Sequence, residues 1–167
     1  MNVETLEDLF EYQLRHAYYV ERTHVELLEE LAADASTANL RETLTNHRAE
    51  TAEQIDRLEG IFAWIGRRPR ASRSRTADGL AESWQLRTDG TDGTIVPDDL
   101  ETALLAERLE IRAYESLLRI AGRLAYAPDV IEPLEETLAE ERDALERLEA
   151  LDSGWLFQGD PAGTERR

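Results

Sequence analysis

The chain has 167 residues, no cysteine, and 36 acids against 19 bases, for a net charge of −17. That length can bury one domain's core, and the missing cysteines exclude disulfides, thiolate metal sites and cysteine nucleophiles. The acid excess argues against nucleic acid or an anionic membrane as a main partner.

All 19 bases are arginine. A GC-rich genome accounts for arginine over lysine but not for the acids; the two together fit a protein of salt-loving archaea, where salt screens self-repulsion. No apolar run reaches the length of a membrane span. The start, Met1-Asn2-Val3-Glu4, lacks the basic-then-apolar order of a signal peptide. A cytoplasmic location is the expectation.

At about 100° per residue, Leu6, Phe10, Leu14, Ala17, Glu21, Val25, Leu28 and Leu31 share one stripe, which predicts a first helix from about Val3 to Ala33. Asp34 to Ser36 break it, and Ser36 or Thr37 can cap the next. The second helix runs through Leu40, Leu44, Thr51, Ile55, Leu58, Phe62 and Ile65 and ends at Gly66. The short link makes these two an antiparallel hairpin.

Residues 66–98 form a long crossover. It opens on a basic run from Arg67 to Arg75, which is predicted to dock on an acidic surface, and holds a short helix from Asp78 to Leu86 with Leu80, Trp84 and Leu86 inward. A loop from Asp89 to Thr94 follows. Pro97, Asp98 and Asp99 start the third long helix, with acids favourable at the helix dipole. Its stripe is Leu100, Leu104, Glu107, Ile111, Tyr114, Leu118, Ala121 and Ala125. After a turn at Tyr126–Asp129, the fourth long helix carries Leu134, Leu138, Glu141, Leu145 and Leu148 and stops near Asp152–Gly154, leaving a polar tail to residue 167 whose end is expected to be disordered. The expected fold is all-α, a four-helix bundle over residues 1–151 made of two hairpins.

The chemistry lies in what interrupts the apolar stripes. A mid-helix carboxylate facing a core is costly unless something cationic meets it. The first helix places Glu21 there, with His24 one turn on, the spacing that lets two side chains reach one ion. The second carries His47, Glu50 and Gln54 along one edge; the first two are candidate ligands, and Gln54 is placed to orient one. The third has Glu107 and Glu110, two acids on one turn that repel unless a cation or proton lies between them. Tyr114, a turn beyond, can hydrogen-bond a carboxylate and is the candidate catalytic residue. The fourth has Glu141 in its leucine seam, with Glu140 turned to the surface. Each taken singly has a plain alternative: a solvated edge, a core histidine with a bonded ring, a packed tyrosine. Together, one inward acid per helix predicts a metal centre. Oxygen and imidazole ligands without sulfur suit iron or manganese, and zinc is compatible. The chain has no phosphate-binding glycine loop, nucleophile elbow or zinc-protease helix.

The segments VETLEDLFEYQL, NHRAETAEQIDRLEGIF, ERLEIRAYESL and LEETLAEERDALERL resemble the YciE/YciF-like ferritin-like proteins, over about Asn2 to Leu151. The run His47…Glu50-Thr51…Gln54…Arg57-Leu58 is the most specific part. With its acidic, lysine-free composition the chain looks like a haloarchaeal member. The resemblance implies a ferritin-like bundle, a homodimer, a link to stress and a carboxylate site for about two metal ions. Carried over by position, its ligands are Glu21, His47, Glu50, Glu107, Glu110 and Glu141, with Glu50 and Glu141 bridging. The sequence departs from the pattern in having Ala144 and Leu145 after Glu141, and His24 where an apolar residue is usual. The expected function is handling of iron or manganese with dioxygen or hydrogen peroxide. The rival is a non-catalytic helical stress protein whose inward acids are structural or vestigial.

Overall fold

The computed structural model describes residues 2–88 and 97–158. Its helices are α1 (Leu6–Asp34), α2 (Ala38–Trp64), α3 (Arg75–Thr88), α4 (Asp99–Arg123) and α5 (Pro128–Gln158). The described residues contain no strand. α1 with α2 and α4 with α5 form the two hairpins, and the bundle closes by packing α1 on α4 and α2 on α5. α3 lies in the crossover and packs on α1 and α4.

The helix ends are set locally. Thr5 caps α1 in a reciprocal box with Asp8, Thr37 caps α2 through Leu40 N–H, and Asp98 caps α4 through Glu101 N–H; each satisfies a backbone donor that the helix cannot. α2 ends as the sequence predicts. Gly66 takes a left-handed φ of 69°, and the amides of Gly66 and Arg67 donate to the carbonyls of Ala63 and Phe62. α4 ends in the same double hydrogen bond, with the amides of Ala125 and Tyr126 donating to Gly122 and Ala121. There the left-handed residue is Ala125, with φ 51°, where a Cβ is strained.

Two predicted features differ. α5 continues through Gln158 instead of stopping near Asp152–Gly154, because Ser153 and Gly154 lower helix propensity without forbidding it. α3 is longer than Asp78–Leu86, and Leu86 is 48% exposed. Trp84 is buried and fills α3's contact with the bundle, so Leu86, two residues on, falls on the far side. The predicted loop at 89–94 and the tail beyond 158 lie outside the described residues.

The core is divided. One apolar cluster holds Phe10, Leu14, Leu58, Phe62, Leu117 and Leu134; the other holds Leu28, Leu31, Leu44, Trp84, Leu104 and Leu148. Between them, at mid-height on all four long helices, lie the buried polar residues Glu21, His24, His47, Thr51, Gln54, Glu107, Glu110 and Glu141. The bundle is thus a polar slab between two greasy plugs.

The basic run docks on the chain's own acids: Arg67 on Glu11 at 3.0 Å, and Arg73 on Asp78, which also accepts from Tyr19. Arg57 forks onto Glu140 at 2.6 and 2.7 Å, tying α2 to α5. Glu140 is therefore not a free surface acid, as the sequence suggested, but half of an inter-helix clamp. The α4 turn supplies a test: Ala125→Gly relieves the strained φ and should stabilise the fold by about 1 kcal/mol, read as a rise in the denaturation midpoint at constant slope.

Candidate metal centre

Each inward residue is placed by helix phase. On α1, Glu21 and His24 follow Leu14 and Ala17 on the buried face, and on α4, Glu107 and Glu110 follow Ala103 and Leu104. α1 and α4 pack together, each offering a pair three residues apart. α2 and α5, also packed together, add His47 and Glu141. All six side chains are essentially sealed from solvent, at 0–2% exposure.

His47, Glu107, Glu110 and Glu141 each offer one atom, and these atoms all lie within 4.8 Å of one another. Ligand atoms each about 2.1 Å from one ion lie up to about 4.2 Å apart, so small side-chain shifts close this group on a cation. The group could hold a metal ion. His47 Nε2 is 2.9 Å from Glu107 Oε1 and 3.7 Å from Glu141 Oε2. On the α1 side, His24 Nδ1 is 2.6 Å from Glu110 Oε1, and the Tyr114 hydroxyl donates to Glu21 Oε1 at 2.5 Å. Glu110 thus belongs to the four-residue group and also touches His24.

Apart from the Tyr114–Glu21 bond, these close approaches are not hydrogen bonds. His47 Nε2, both ring nitrogens of His24, and both oxygens of Glu107, Glu110 and Glu141 are buried without a hydrogen-bond partner. Nitrogen and oxygen come together without the alignment that a shared proton requires, as they do when several donors aim at a common centre. So many orphaned atoms in one slab would be a heavy cost for a fold; protons on the carboxyls or a bound cation would each reduce it.

Glu50 lies outside the four-residue group. Glu50 has a side chain 36% exposed; it accepts from Arg147 at 3.0 Å, and one oxygen lies 3.5 Å from His47 Nδ1. Its phase on α2 sets it three residues past His47, on the rim toward α5. Gln54 is buried; its amide nitrogen donates to Glu140 at 3.1 Å and so braces the Arg57–Glu140 clamp, while its Oε1 is buried without a hydrogen-bond partner. The sequence did not reveal the roles of Arg57, Glu140 and Arg147. Each pairs across helices, between residues more than 80 positions apart, a relation that no local pattern encodes.

The electrostatics follow from burial. Burial, then the charge of Glu110, raises Glu21 well above the usual carboxylate range. Burial, then Glu107, pushes Glu110 up to about 8. Glu141 is raised by burial, then Glu110 and Glu21. Burial lowers His24 to about 4. Burial also works against the charged ring of His47, but Glu107, Glu50 and Glu110 outweigh it and hold it well above its usual value. Tyr114 keeps its proton, because burial and the adjacent Glu21 raise it far above the ordinary phenol.

A pH dependence follows for the metal-free protein. A carboxyl whose folded pKa is raised favours the fold below its unfolded value, and that contribution is lost as pH rises through the folded value. His24 acts oppositely, but only between about 4 and its ordinary 6.5. Above pH 6.5 the raised carboxyls and His47 dominate. The melting temperature without metal should therefore fall between pH 6.5 and 8, the latter being the value of Glu110. Saturating divalent metal, which stands in for the protons, should flatten the slope; calorimetry at constant high salt reads both.

Comparison with known proteins agrees with this architecture. Residues 5–155 match the family described as "Domain of unknown function (DUF892)". Protein YciF of Escherichia coli K12 is 28% identical over 145 residues, which cover 85% of this chain and 87% of YciF. Among solved structures, YcfI of Rhodopseudomonas palustris superposes with a TM-score of 0.80 at 30% identity, covering 89% of this chain and 95% of that one. The E. coli stress protein YciF gives 0.79 at 27% identity, with the same coverage. The structural match extends over both hairpins, the bundle is of the ferritin-like kind, and the chain belongs to the DUF892 family.

Proposed function

We propose that this chain is a ferritin-like carboxylate protein of the stress response that holds about two iron or manganese ions and handles them with dioxygen or hydrogen peroxide. The observation that carries this reading is the convergence of orphaned buried carboxylate and imidazole atoms at mid-bundle. His47, Glu107, Glu110 and Glu141 would hold one ion. Glu21 and His24, with Glu110 shared, would hold the other. Hard oxygen donors with two imidazoles suit iron or manganese, and zinc is the less apt fit. The link to stress comes from the relationship to the E. coli stress protein YciF. The lysine-free, acid-rich composition is read as adaptation to high salt, and a homodimer is the assembly the family resemblance implies.

Bound iron or manganese supplies one-electron redox chemistry. The protein's residues supply the rest. The sealed slab excludes solvent and admits only small reactants, which favours dioxygen or peroxide over an organic substrate. Tyr114, protonated and bonded to Glu21, holds a proton at the phenolic oxygen beside the cluster. The same enclosure supports a second reading, in which the ions are purely structural and cross-link four helices that otherwise bury unpaired charge.

The two readings separate on one assay. Protein loaded anaerobically with Fe(II) in molar KCl and mixed with hydrogen peroxide should oxidise its iron faster than free Fe(II) does, with Tyr114→Phe slower at unchanged iron content. Iron that stays reduced, or a rate equal to that of free Fe(II), leaves the structural reading. Glu141→Leu should lose metal and stabilise the metal-free fold by about 1–4 kcal/mol, since it replaces an unpaired buried carboxylate by an apolar side chain. Unaltered metal content in that variant would remove Glu141 from the site.

A further inference from the structure

The slab is sealed, so ions need a way in. The two faces of the bundle differ. α3 lies over α1 and α4. The α2–α5 side carries a cleft lined by Asn39, Glu42, Thr43, Asn46 and Glu50 of α2 and by Arg147, Ala150 and Leu151 of α5. On α2 the spacing 39, 42, 43, 46, 50 is one continuous helical stripe, so these groups form a path along the cleft and not a scatter. All five α2 residues offer side-chain oxygen atoms, the donors that divalent iron and manganese prefer.

The stripe ends at Glu50. Glu50 faces the cleft on one side, and on the other it lies 3.5 Å from Nδ1 of the buried His47. The opposite nitrogen of that ring, Nε2, sits in the four-residue cluster, 2.9 Å from Glu107 and without a hydrogen-bond partner. One imidazole therefore links the floor of the cleft to the metal centre. Arg147 stands across this path, 47% exposed and donating to Glu50 at 3.0 Å. An exposed ion pair of that kind is weak and exchangeable.

We propose that the α2–α5 cleft is the entry route for divalent cations, and that Arg147 is a displaceable latch on Glu50 at its inner end. The proposal rests on the metal-centre reading above. An incoming cation, drawn by the acidic surface, replaces the guanidinium on the Glu50 carboxylate. From there it passes His47 to the buried acids. Arg147 is a positioning residue: it acts through Glu50, to which it donates.

The test is the rate at which chelator-stripped protein takes up Co(II), followed by stopped-flow visible absorption in high salt, with final stoichiometry from elemental analysis. Arg147→Gln should speed uptake about threefold or more at unchanged stoichiometry, while Arg147→Lys stays near the parent rate because it keeps the charge. Asn46→Arg, an exposed change that puts a fixed cation in the cleft, should slow uptake about tenfold. Leu105→Arg makes the same charge change on the exposed outer side of α4, and should leave the rate within about a factor of two. If the parent protein fills but Asn46→Arg loads as fast as Leu105→Arg, or Arg147→Gln loads no faster than the parent, the route is wrong and the metal centre stands. If the parent protein takes up no Co(II), the metal-centre reading fails and the route with it.

Discussion

Buried charge without a partner is the constraint on which this bundle depends. Four long helices turn carboxylates and imidazoles toward one another between two apolar clusters, and most of their polar atoms meet without forming hydrogen bonds. Protons can hold such a slab together at low pH, which is what the upward shifts of Glu21, Glu110 and Glu141 express. On the metal-centre reading, a divalent cation does so at neutral pH. The rest of the fold isolates that exchange: plugs above and below, α3 over one face, and a polar cleft along the other.

The arrangement has an internal symmetry with a defect in it. α1 and α4 each contribute a pair three residues apart, and α2 and α5 one residue each. The pairs are not equal, however: one is Glu21 with His24, the other Glu107 with Glu110. The half nearer α2 carries His47, and the half nearer α1 carries His24 and the bonded Tyr114. Two ions held here would sit in different surroundings, one beside a phenol and one beside the rim where Glu50 meets Arg147.

Most of this was legible in the sequence because it depends on helix phase. A stripe that repeats every three or four residues fixes which side chains turn inward, and Glu21, Glu107, Glu110 and Glu141 are where that arithmetic puts them. Gly66 marked the end of α2 because only a left-handed residue closes that cap. Ala125 gave no such signal, although it occupies the same position in α4. Glu50 lies at the edge of the stripe, where a few degrees of rotation and one distant arginine decide whether a carboxylate faces in or out, and it stands on the rim beside Arg147. Glu140 was read as a surface acid because its partner, Arg57, sits on another helix. Phase can be read from a single sequence, but pairing across helices cannot.

The central claim is that the slab is a cation site, and its most direct test is metal content. Protein purified in high salt without chelator or metal-affinity tag, then loaded anaerobically with Fe(II) or Mn(II) and desalted, should carry about two ions per chain by elemental analysis, with anomalous scattering placing them among Glu21, His24, His47, Glu107, Glu110 and Glu141. No bound metal, or metal held only at surface acids, would contradict the account and leave a helical bundle whose buried carboxyls are held by protons alone.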